Sequence, residues 1–226
     1  MMLHQQSRYA EGIKEAQRLI KSFPGEMMLF NILGVCLEQE GAFQKAADAY
    51  KQALSINPAI PELQFNLGAM LYALSEPKKA IHHYEEAIRL NPNFTEAYFN
   101  LGTLYQSQSE YSQAINAYEK ALTIQPGFYE ALANIGTIKQ LQGRLDEAIE
   151  ILYDGVAQFE DNPLLQLILS GYLFATAAYD EGKEILTNCL KLEPTSIELF
   201  HEYFPAFGRI PEITSILAEI QSADDA

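Results

Sequence analysis

The stretch TEAYFNLGTLYQSQSEYSQAINAYEKALTIQPG, residues 95–127, contains the pattern that decides the fold. Its apolar residues recur at helical spacing in two runs, first Ala97, Tyr98, Leu101, Leu104 and Tyr105 and then Ala114, Ala117, Tyr118, Ala121 and Leu122. The polar pair Ser109-Glu110 separates the runs, and Pro126 follows the second run, where its ring would stop a helix. The stretch therefore predicts two helices of about 13 residues each, joined by a tight turn.

The same pattern repeats along the chain. Pro24, Pro58, Pro92 and Pro126 stand 34 residues apart, and after a gap at Glu160 the spacing returns at Pro194. Aligned on this period, the repeats share a small column (Gly34, Gly68, Gly102, Gly136, Ser170), an aromatic or apolar column (Tyr50, Tyr84, Tyr118, Leu152, Leu186) and a further small column (Ala46, Ala80, Ala114, Ala148, Gly182). Small side chains let two helix backbones approach, and large ones fill the space beside the contact. The chain is predicted to be a tandem array of one helix pair.

The array resembles the tetratricopeptide repeat, a helix-turn-helix unit of this length. We call the first helix of each repeat its A helix and the second its B helix. The resemblance implies an all-α fold in which the repeats stack into a right-handed superhelix, forming a single domain over residues 1–226. The boundaries are a partial first repeat at 7–26, full repeats at 27–60, 61–94, 95–128, 129–162 and 163–196, and a divergent C-terminal cap at 197–226.

The two ends of the array depart from the repeat. Residues 1–6 are too few for an A helix, so Ser7 to Phe23 is predicted to form a lone B helix, which favours a fragment of a longer protein. At the other end, Thr195 and Glu198 have the spacing of a capping box, and Pro205 would end the helix that they open. An apolar stripe between Pro211 and Gln221 predicts a last helix that covers the open end of the array.

Composition and charge exclude several functions. The formal net charge is −15, whereas phosphate contacts need a basic surface, so we expect no nucleic-acid partner. The first residues have no basic region followed by an apolar run, and no apolar run is long enough for a membrane span, so we expect a cytoplasmic protein without a membrane partner. The acidic residues concentrate in the C-terminal half, where they would attract a basic partner or simply keep the surface solvated.

The sequence offers little chemistry for catalysis. His82 and His83 lie on the predicted outward face of a B helix, where we expect a solvated pair, and neither has the neighbours of a metal site. Cys36 and Cys189 are far apart. Cys189 stands in a third small column, with Ala53, Ala87, Ala121 and Gly155, which predicts a buried structural thiol. Since the sequence has no serine nucleophile between glycines, no phosphate-binding loop and no metal motif, we expect a non-catalytic chain without metal or cofactor.

The resemblance implies that the A helices line a concave groove. Their second, fifth, sixth, ninth and twelfth positions commonly face it, which gives the candidate peptide-binding residues Asn31, Glu62, Phe65, Asn66, Tyr72, Glu96, Phe99, Asn100, Thr103, Glu130, Asn134 and Thr137. Asparagine recurs at one of these positions in three successive repeats, and its amide offers both a donor and an acceptor for a peptide backbone. This ladder resembles that of O-linked N-acetylglucosamine transferases, although asparagine is also frequent at this position in repeats that bind ligands differently.

The groove positions also predict the charge of the ligand. Chaperone adaptors of this family hold acidic C-terminal peptides with Lys or Arg at the second, fifth and sixth positions. Here those positions are acidic, apolar or amide, so we expect a protein or peptide partner with basic and apolar side chains. An alternative is that the chain is the N-terminal recruiting module of a larger bacterial enzyme, a glycosyltransferase, sulfotransferase or oxygenase.

Three residues depart from the family pattern, and aromatic residues gather near the C-terminus. Gln64 and Gln166 replace a large apolar residue and Lys139 an aromatic one, which predicts looser or more exposed junctions. Lys139 is expected to lay its stem along the core and keep its ammonium in water. The incomplete first repeat and the segment containing Phe200 and Phe204 predict apolar surface at the ends and weak self-association through them.

Overall fold

The computed structural model describes residues 2–205 and Ile213. All the regular secondary structure in this part of the chain is helical, which confirms the predicted all-α fold. The helices are α1 (Met2–Ser22), α2 (Met27–Gln39), α3 (Phe43–Ile56), α4 (Pro61–Ala73), α5 (Pro77–Leu90), α6 (Thr95–Ser107), α7 (Tyr111–Ile124), α8 (Tyr129–Leu141), α9 (Leu145–Gln158), α10 (Pro163–Ala175), α11 (Tyr179–Leu192) and α12 (Ser196–Tyr203).

The helices form two compact units, unit 1 (Met1–Ile124) and unit 2 (Gln125–Ala226). In unit 1, each helix from α1 to α7 packs against the next one along the chain. In unit 2, α8 to α11 pack in the same consecutive way, and α12 contacts α10 and α11. The A helices are therefore α2, α4 and α6 in unit 1 and α8 and α10 in unit 2, and each is followed by its B helix.

One contact recurs where the A and B helices of a hairpin meet. In the first three hairpins, a Cβ atom added to the A-helix glycine would lie 2.5, 2.9 and 2.7 Å from the ring of a buried tyrosine, the pairs being Gly34 with Tyr50, Gly68 with Tyr84 and Gly102 with Tyr118. In the fourth hairpin, Gly136 faces Leu152 at 3.3 Å. Since only hydrogen fits beneath these rings, the small column is a packing requirement, as predicted.

The turn between A and B helices requires a left-handed residue. Gly41 and Gly143 have φ values of +72° and +74°, as the sequence predicts. Ser75, Ser109 and Ala177 occupy the same position in the other hairpins with φ near +60°, a conformation that costs a residue with a side chain about 1–2 kcal/mol. In each hairpin the following residue donates its N–H to a carbonyl five residues back at 2.8–2.9 Å, which closes the A helix.

The glutamines that depart from the family pattern bond to the loops that precede their A helices, and Gln166 Oε1 is buried without a partner among the described residues. Gln64 Nε2 donates to the Pro58 carbonyl at 3.3 Å, and Gln166 Nε2 donates to the Glu160 carbonyl in the same way. Gln64 Oε1 also lies 2.7 Å from Nδ1 of His83, which is half-buried instead of solvated. An amide side chain therefore replaces apolar packing with hydrogen bonds between a loop and the following A helix.

Two further polar residues differ from the prediction. The Lys139 side chain is only 16% exposed, and its ammonium pairs with Glu147 at 3.2 Å, because the adjoining B helix places a carboxylate within reach. The capping box at Thr195 does not form. The backbone of Thr195 is already helical, with φ −67° and ψ −15°, and its hydroxyl donates to Glu193 at 3.3 Å. A cap needs an extended backbone, which points the side chain back at the helix.

The ends are only partly described. The first helix begins at Met2, five residues before the predicted Ser7, and packs against α2. At the C-terminus, α12 ends at Tyr203, two residues before Pro205. The predicted helix from Pro211 to Gln221 lies outside the described residues, except for Ile213, which is helical and buried with Phe200.

The glycine contact predicts opposite effects for one substitution at two equivalent positions. Alanine is favoured over glycine in a helix by about 1 kcal/mol, but at Gly102 its methyl group would overlap the Tyr118 ring, which costs about 1–3 kcal/mol. We expect Gly102→Ala to lower the free energy of unfolding and Gly136→Ala, which faces a flexible leucine, to leave it unchanged or raise it. Urea unfolding followed by circular dichroism measures both, and equal effects would contradict the contact.

Acid should destabilise unit 1 through His83. Burial lowers the pKa of His83, and the charges of His82 and Lys51 add to this shift, while Glu86 opposes it. The stabilisation by the neutral ring is complete above the unfolded pKa of about 6.5 and is lost as the pH falls below it, since the unfolded chain takes up the proton first. Between about pH 7.5 and pH 5.5, the wild type should lose more unfolding free energy than His83→Gln. Parallel losses in urea unfolding would contradict this role.

Candidate functional site

The structure divides the predicted groove residues between the two units. Unit 1 holds Asn31 on α2, Glu62, Phe65, Asn66 and Tyr72 on α4, and Glu96, Phe99, Asn100 and Thr103 on α6. Unit 2 holds Glu130, Asn134 and Thr137 on α8. Each of these side chains is exposed or partly exposed. Since α4 contacts α6, the predicted site residues of unit 1 on these two helices lie on neighbouring helices.

The amides in unit 1 differ in how far the fold already uses them. Asn66 is partly exposed and forms no hydrogen bond with another described side chain. Asn100 faces the hydroxyl of Tyr84. Burial raises the pKa of Tyr84 to about 12, and the Asn100 amide opposes this shift. Asn31 has its Nδ2 3.9 Å from the Met28 sulfur, and its Oδ1 is buried without a partner in the described part of the chain. Asn66 is thus the amide most available to a ligand.

Two carboxylates and one phenol near these amides are open to solvent. Glu62 and Glu96 lie in the first turns of α4 and α6, where the helix dipole favours a negative charge. Both are exposed, and neither forms an ion pair within residues 2–205. Tyr72, at the end of α4, is 44% exposed. This surface combines negative charge, an amide and an aromatic ring.

The phenylalanines and the threonine at the predicted positions also have structural contacts. The Phe65 ring lies 5.7 Å from that of Tyr84 and 5.0 Å from that of Phe94, and Phe99 lies 5.5 Å from Tyr118, measured between ring centroids. The Thr103 hydroxyl donates to the Phe99 carbonyl at 3.1 Å. Their exposed edges can contact a ligand, but part of each side chain belongs to the hairpin.

Sequence reasoning missed two side chains that hold the tyrosines of the glycine contact. The Tyr50 hydroxyl donates to Glu38 at 2.8 Å, and the Tyr118 hydroxyl donates to Gln106 at 2.8 Å. Burial, together with the Glu38 carboxylate, raises the pKa of Tyr50 above its usual range. Glu38 and Gln106 both stand at the twelfth position of their A helix, twelve residues before the tyrosine. That constant spacing was visible in the sequence and could have identified them.

The first A helix presents an apolar surface at groove positions that the predicted set of site residues does not include. Met28, Ile32 and Val35 are 50%, 43% and 40% exposed, and they lie at helical spacing on one face of α2. Most other large apolar side chains of unit 1 are buried or only partly exposed, so this stripe stands out. It lies at the second, sixth and ninth positions of the helix, which face the groove in the resemblance.

Unit 2 offers a smaller surface. All residues from Leu165 to Phe174 on α10 are buried, and the Phe204 ring fills the space beside Gly171. On α8, the Thr137 hydroxyl donates to the Ala133 carbonyl at 3.0 Å and interacts with the Tyr172 hydroxyl. Beside Glu130, a cavity of about 270 Å³ is lined by Tyr129, Asn162, Pro163, Leu164, Leu167, Glu193, Ser196 and Leu199. Its lining combines two carboxylates with apolar side chains.

The described part of the chain gives little support for a metal site, a reactive cysteine or a membrane span. Among those residues, no group of three or more His, Cys, Asp or Glu side chains could hold a metal ion. Cys189 is buried as predicted, donates to the Pro163 carbonyl at 3.3 Å, and has its pKa raised to about 11 by burial. Within the same residues, no helix is long and apolar enough to cross a membrane.

Three family models match the chain, each a tetratricopeptide or TPR repeat model. They cover residues 3–62, 68–109 and 95–128, which together include more than half of the 226 residues. The chain belongs to the tetratricopeptide repeat family. A search of curated protein sequences gave no match.

Solved tetratricopeptide structures resemble this fold. A crystal structure of MamA has a TM-score of 0.66 at 27% identity and covers 70% of this chain and 92% of its own. YrrB, described as a TPR protein with an unusual peptide-binding site, has a TM-score of 0.61 at 16% identity, covering 83% and 97%. The first TPR of Spaghetti (RPAP3), bound to the HSP90 peptide SRMEEVD, has a TM-score of 0.50 at 23% identity, covering 52% and 93%. The last two identities establish similarity of fold alone.

The two asparagines of unit 1 should differ in their effect on stability. Asn100→Ala removes the amide that faces the buried Tyr84 hydroxyl, so we expect a loss of about 1 kcal/mol of unfolding free energy. Asn66→Ala removes a group that the fold leaves unused, and its effect should stay within about 0.5 kcal/mol. Urea unfolding of the two variants beside the wild type tests this. A larger loss for Asn66→Ala would show that its amide has a structural partner.

Proposed function

We propose that the protein is a non-catalytic scaffold that binds an extended peptide on the A-helix face of unit 1. The observation that carries the proposal is a set of polar groups that the fold leaves unused there. The Asn66 amide and the Glu62 and Glu96 carboxylates have no side-chain partner among the described residues. An amide grips a peptide backbone through its donor and acceptor, and the carboxylates attract basic side chains.

The proposed ligand carries basic and apolar side chains. Its basic residues would lie near Glu62 and Glu96, and its apolar residues near Tyr72 and the stripe of α2, which are both exposed. The RPAP3 fragment of similar fold holds the acidic peptide SRMEEVD. In this chain, carboxylate, amide and apolar side chains occupy the positions where the family's clamp for acidic peptides has Lys or Arg. Acidic groups in place of basic ones at these positions support a ligand with basic side chains.

Unit 2, taken by itself, has a cavity that would accept a basic side chain. The cavity between Glu130, Leu164 and Leu199 has room for one long side chain, and Glu193 supplies a further carboxylate at its wall. A lysine or arginine would lay its methylene stem on the leucines and direct its charge to the glutamates.

A random-peptide display library provides a ligand with which to test the proposal. Selected peptides should be enriched in Lys or Arg together with large apolar residues. When one is titrated by calorimetry, Asn66→Ala with Asn100→Ala should weaken binding by about thirtyfold, since two hydrogen bonds of about 1 kcal/mol each are lost. Glu62→Gln with Glu96→Gln should mainly lower the association rate and its dependence on salt.

The matched control changes the B helices instead. His82→Ala with Lys120→Ala alters exposed side chains outside the proposed surface and should leave the affinity unchanged. Circular dichroism confirms that every variant stays folded. If the control loses affinity while both A-helix variants keep it, the peptide binds the B-helix face and the proposal fails. A selection that returns acidic peptides would contradict the proposed charge preference.

A further inference from the structure

An open trough lies between α1, α2 and α3 of unit 1. Two adjoining cavities of about 480 and 290 Å³ share Gln17, Phe30 and Leu33 in their walls. Leu37 and Ala49 extend the apolar lining. The trough is separate from the surface proposed to bind a peptide, since it uses none of the A-helix residues assigned there.

The next hairpin shows why this trough is open. Gln64 and His83 stand 34 residues after Phe30 and Ala49, and their hydrogen bond spans the equivalent space. Alanine at position 49 cannot reach across, so Phe30 is left partly exposed. Leu33 is also partly exposed, whereas the equivalent Leu67 is 1% exposed. Apolar surface that is covered in the second hairpin is therefore available in the first.

Three free cations surround the apolar lining. Lys14, Lys21 and Lys45 line the two cavities, and none of them pairs with a carboxylate in residues 2–205. The other charges nearby are internally paired, Arg18 with Glu15 and Asp48 with Lys51. In a chain with a net charge of −15, this is a local basic surface with an apolar centre. It fits a partner that combines acidic and apolar groups on one helix face.

The complementary surface lies on α12 of the same protein. Leu199 and Tyr203 are 43% and 57% exposed and stand four residues apart, so they share one helix face. Glu198 and Glu202 are exposed beside them with the same spacing. We propose that α12 of a second copy docks in the trough, with Leu199 and Tyr203 against Phe30 and Leu33, and with the two glutamates near the lysines.

Such a contact joins two different surfaces, so each copy can offer its trough to one partner and its α12 to another. Association by this contact closes into a dimer or ring, or continues as a head-to-tail chain, according to the rotation between copies. Apolar burial supplies the attraction, and the charges fix the orientation and suppress other pairings. The assembly should therefore grow with protein concentration and weaken when salt screens the charges.

Sedimentation velocity at low ionic strength and rising concentration tests the proposal. The wild type should show a rising mean mass that added salt reverses. Lys14→Glu with Lys45→Glu, and separately Glu198→Lys with Glu202→Lys, should each lower the association constant by at least about tenfold, because like charges then face each other. An equimolar mixture of these two variants should associate again, since each trough then finds an α12 of opposite charge.

The control variant Lys78→Glu with Lys120→Glu makes the same change in net charge at exposed positions away from the trough and should associate like the wild type. Asn66→Ala with Asn100→Ala should also associate normally, which separates this result from peptide binding. A monomer at every concentration would overturn the proposal. So would association that survives both charge reversals, or a mixture that stays dissociated.

Discussion

The contact of a tyrosine ring on a glycine backbone determines how the hairpins of unit 1 are built. The ring lies where a side chain would otherwise stand, so the A and B helices approach closely and the tyrosine is almost completely buried. Burial of a phenol requires a partner for its hydroxyl. That partner comes from the A helices, as Glu38, Asn100 or Gln106. The contact between the A and B helices therefore requires particular polar side chains on the A helices, which also carry the candidate site.

The repeat period was enough to predict the fold. Proline, glycine and tyrosine columns specify where helices end and where they touch, and the helix boundaries follow them closely. The polar exceptions were harder to predict. Gln64 shares a hydrogen bond with His83, which lies nineteen residues later in the sequence and is adjacent only in the fold. The same holds for Lys139 and Glu147, because a hydrophobic pattern does not report which charged groups will meet.

The candidate site was predictable by position but not by availability. Family resemblance identifies the A-helix positions, yet it treats Asn66 and Asn100 alike, although Asn100 faces Tyr84 and Asn66 does not. Exposure also varies along the array for physical reasons. Met28 and Ile32 of the first A helix are exposed, whereas α10 packs against α8, α9, α11 and α12 and is buried from Leu165 to Phe174. Such differences arise from packing at the ends and cannot be seen in a repeat pattern.

The twelfth residue of the A helix lies at a groove position, and in some hairpins it also holds the buried tyrosine. Where Glu38 and Gln106 hold a tyrosine hydroxyl, a substitution that suited a new ligand would also strand a buried phenol. In the second hairpin this position is Tyr72, which is exposed, and the hydroxyl of Tyr84 faces Asn100 on the next A helix. Substitution of Tyr72 should therefore not weaken the contact between the A and B helices of the second hairpin. A substitution at this position should therefore cost less stability in the second hairpin than in the first or third.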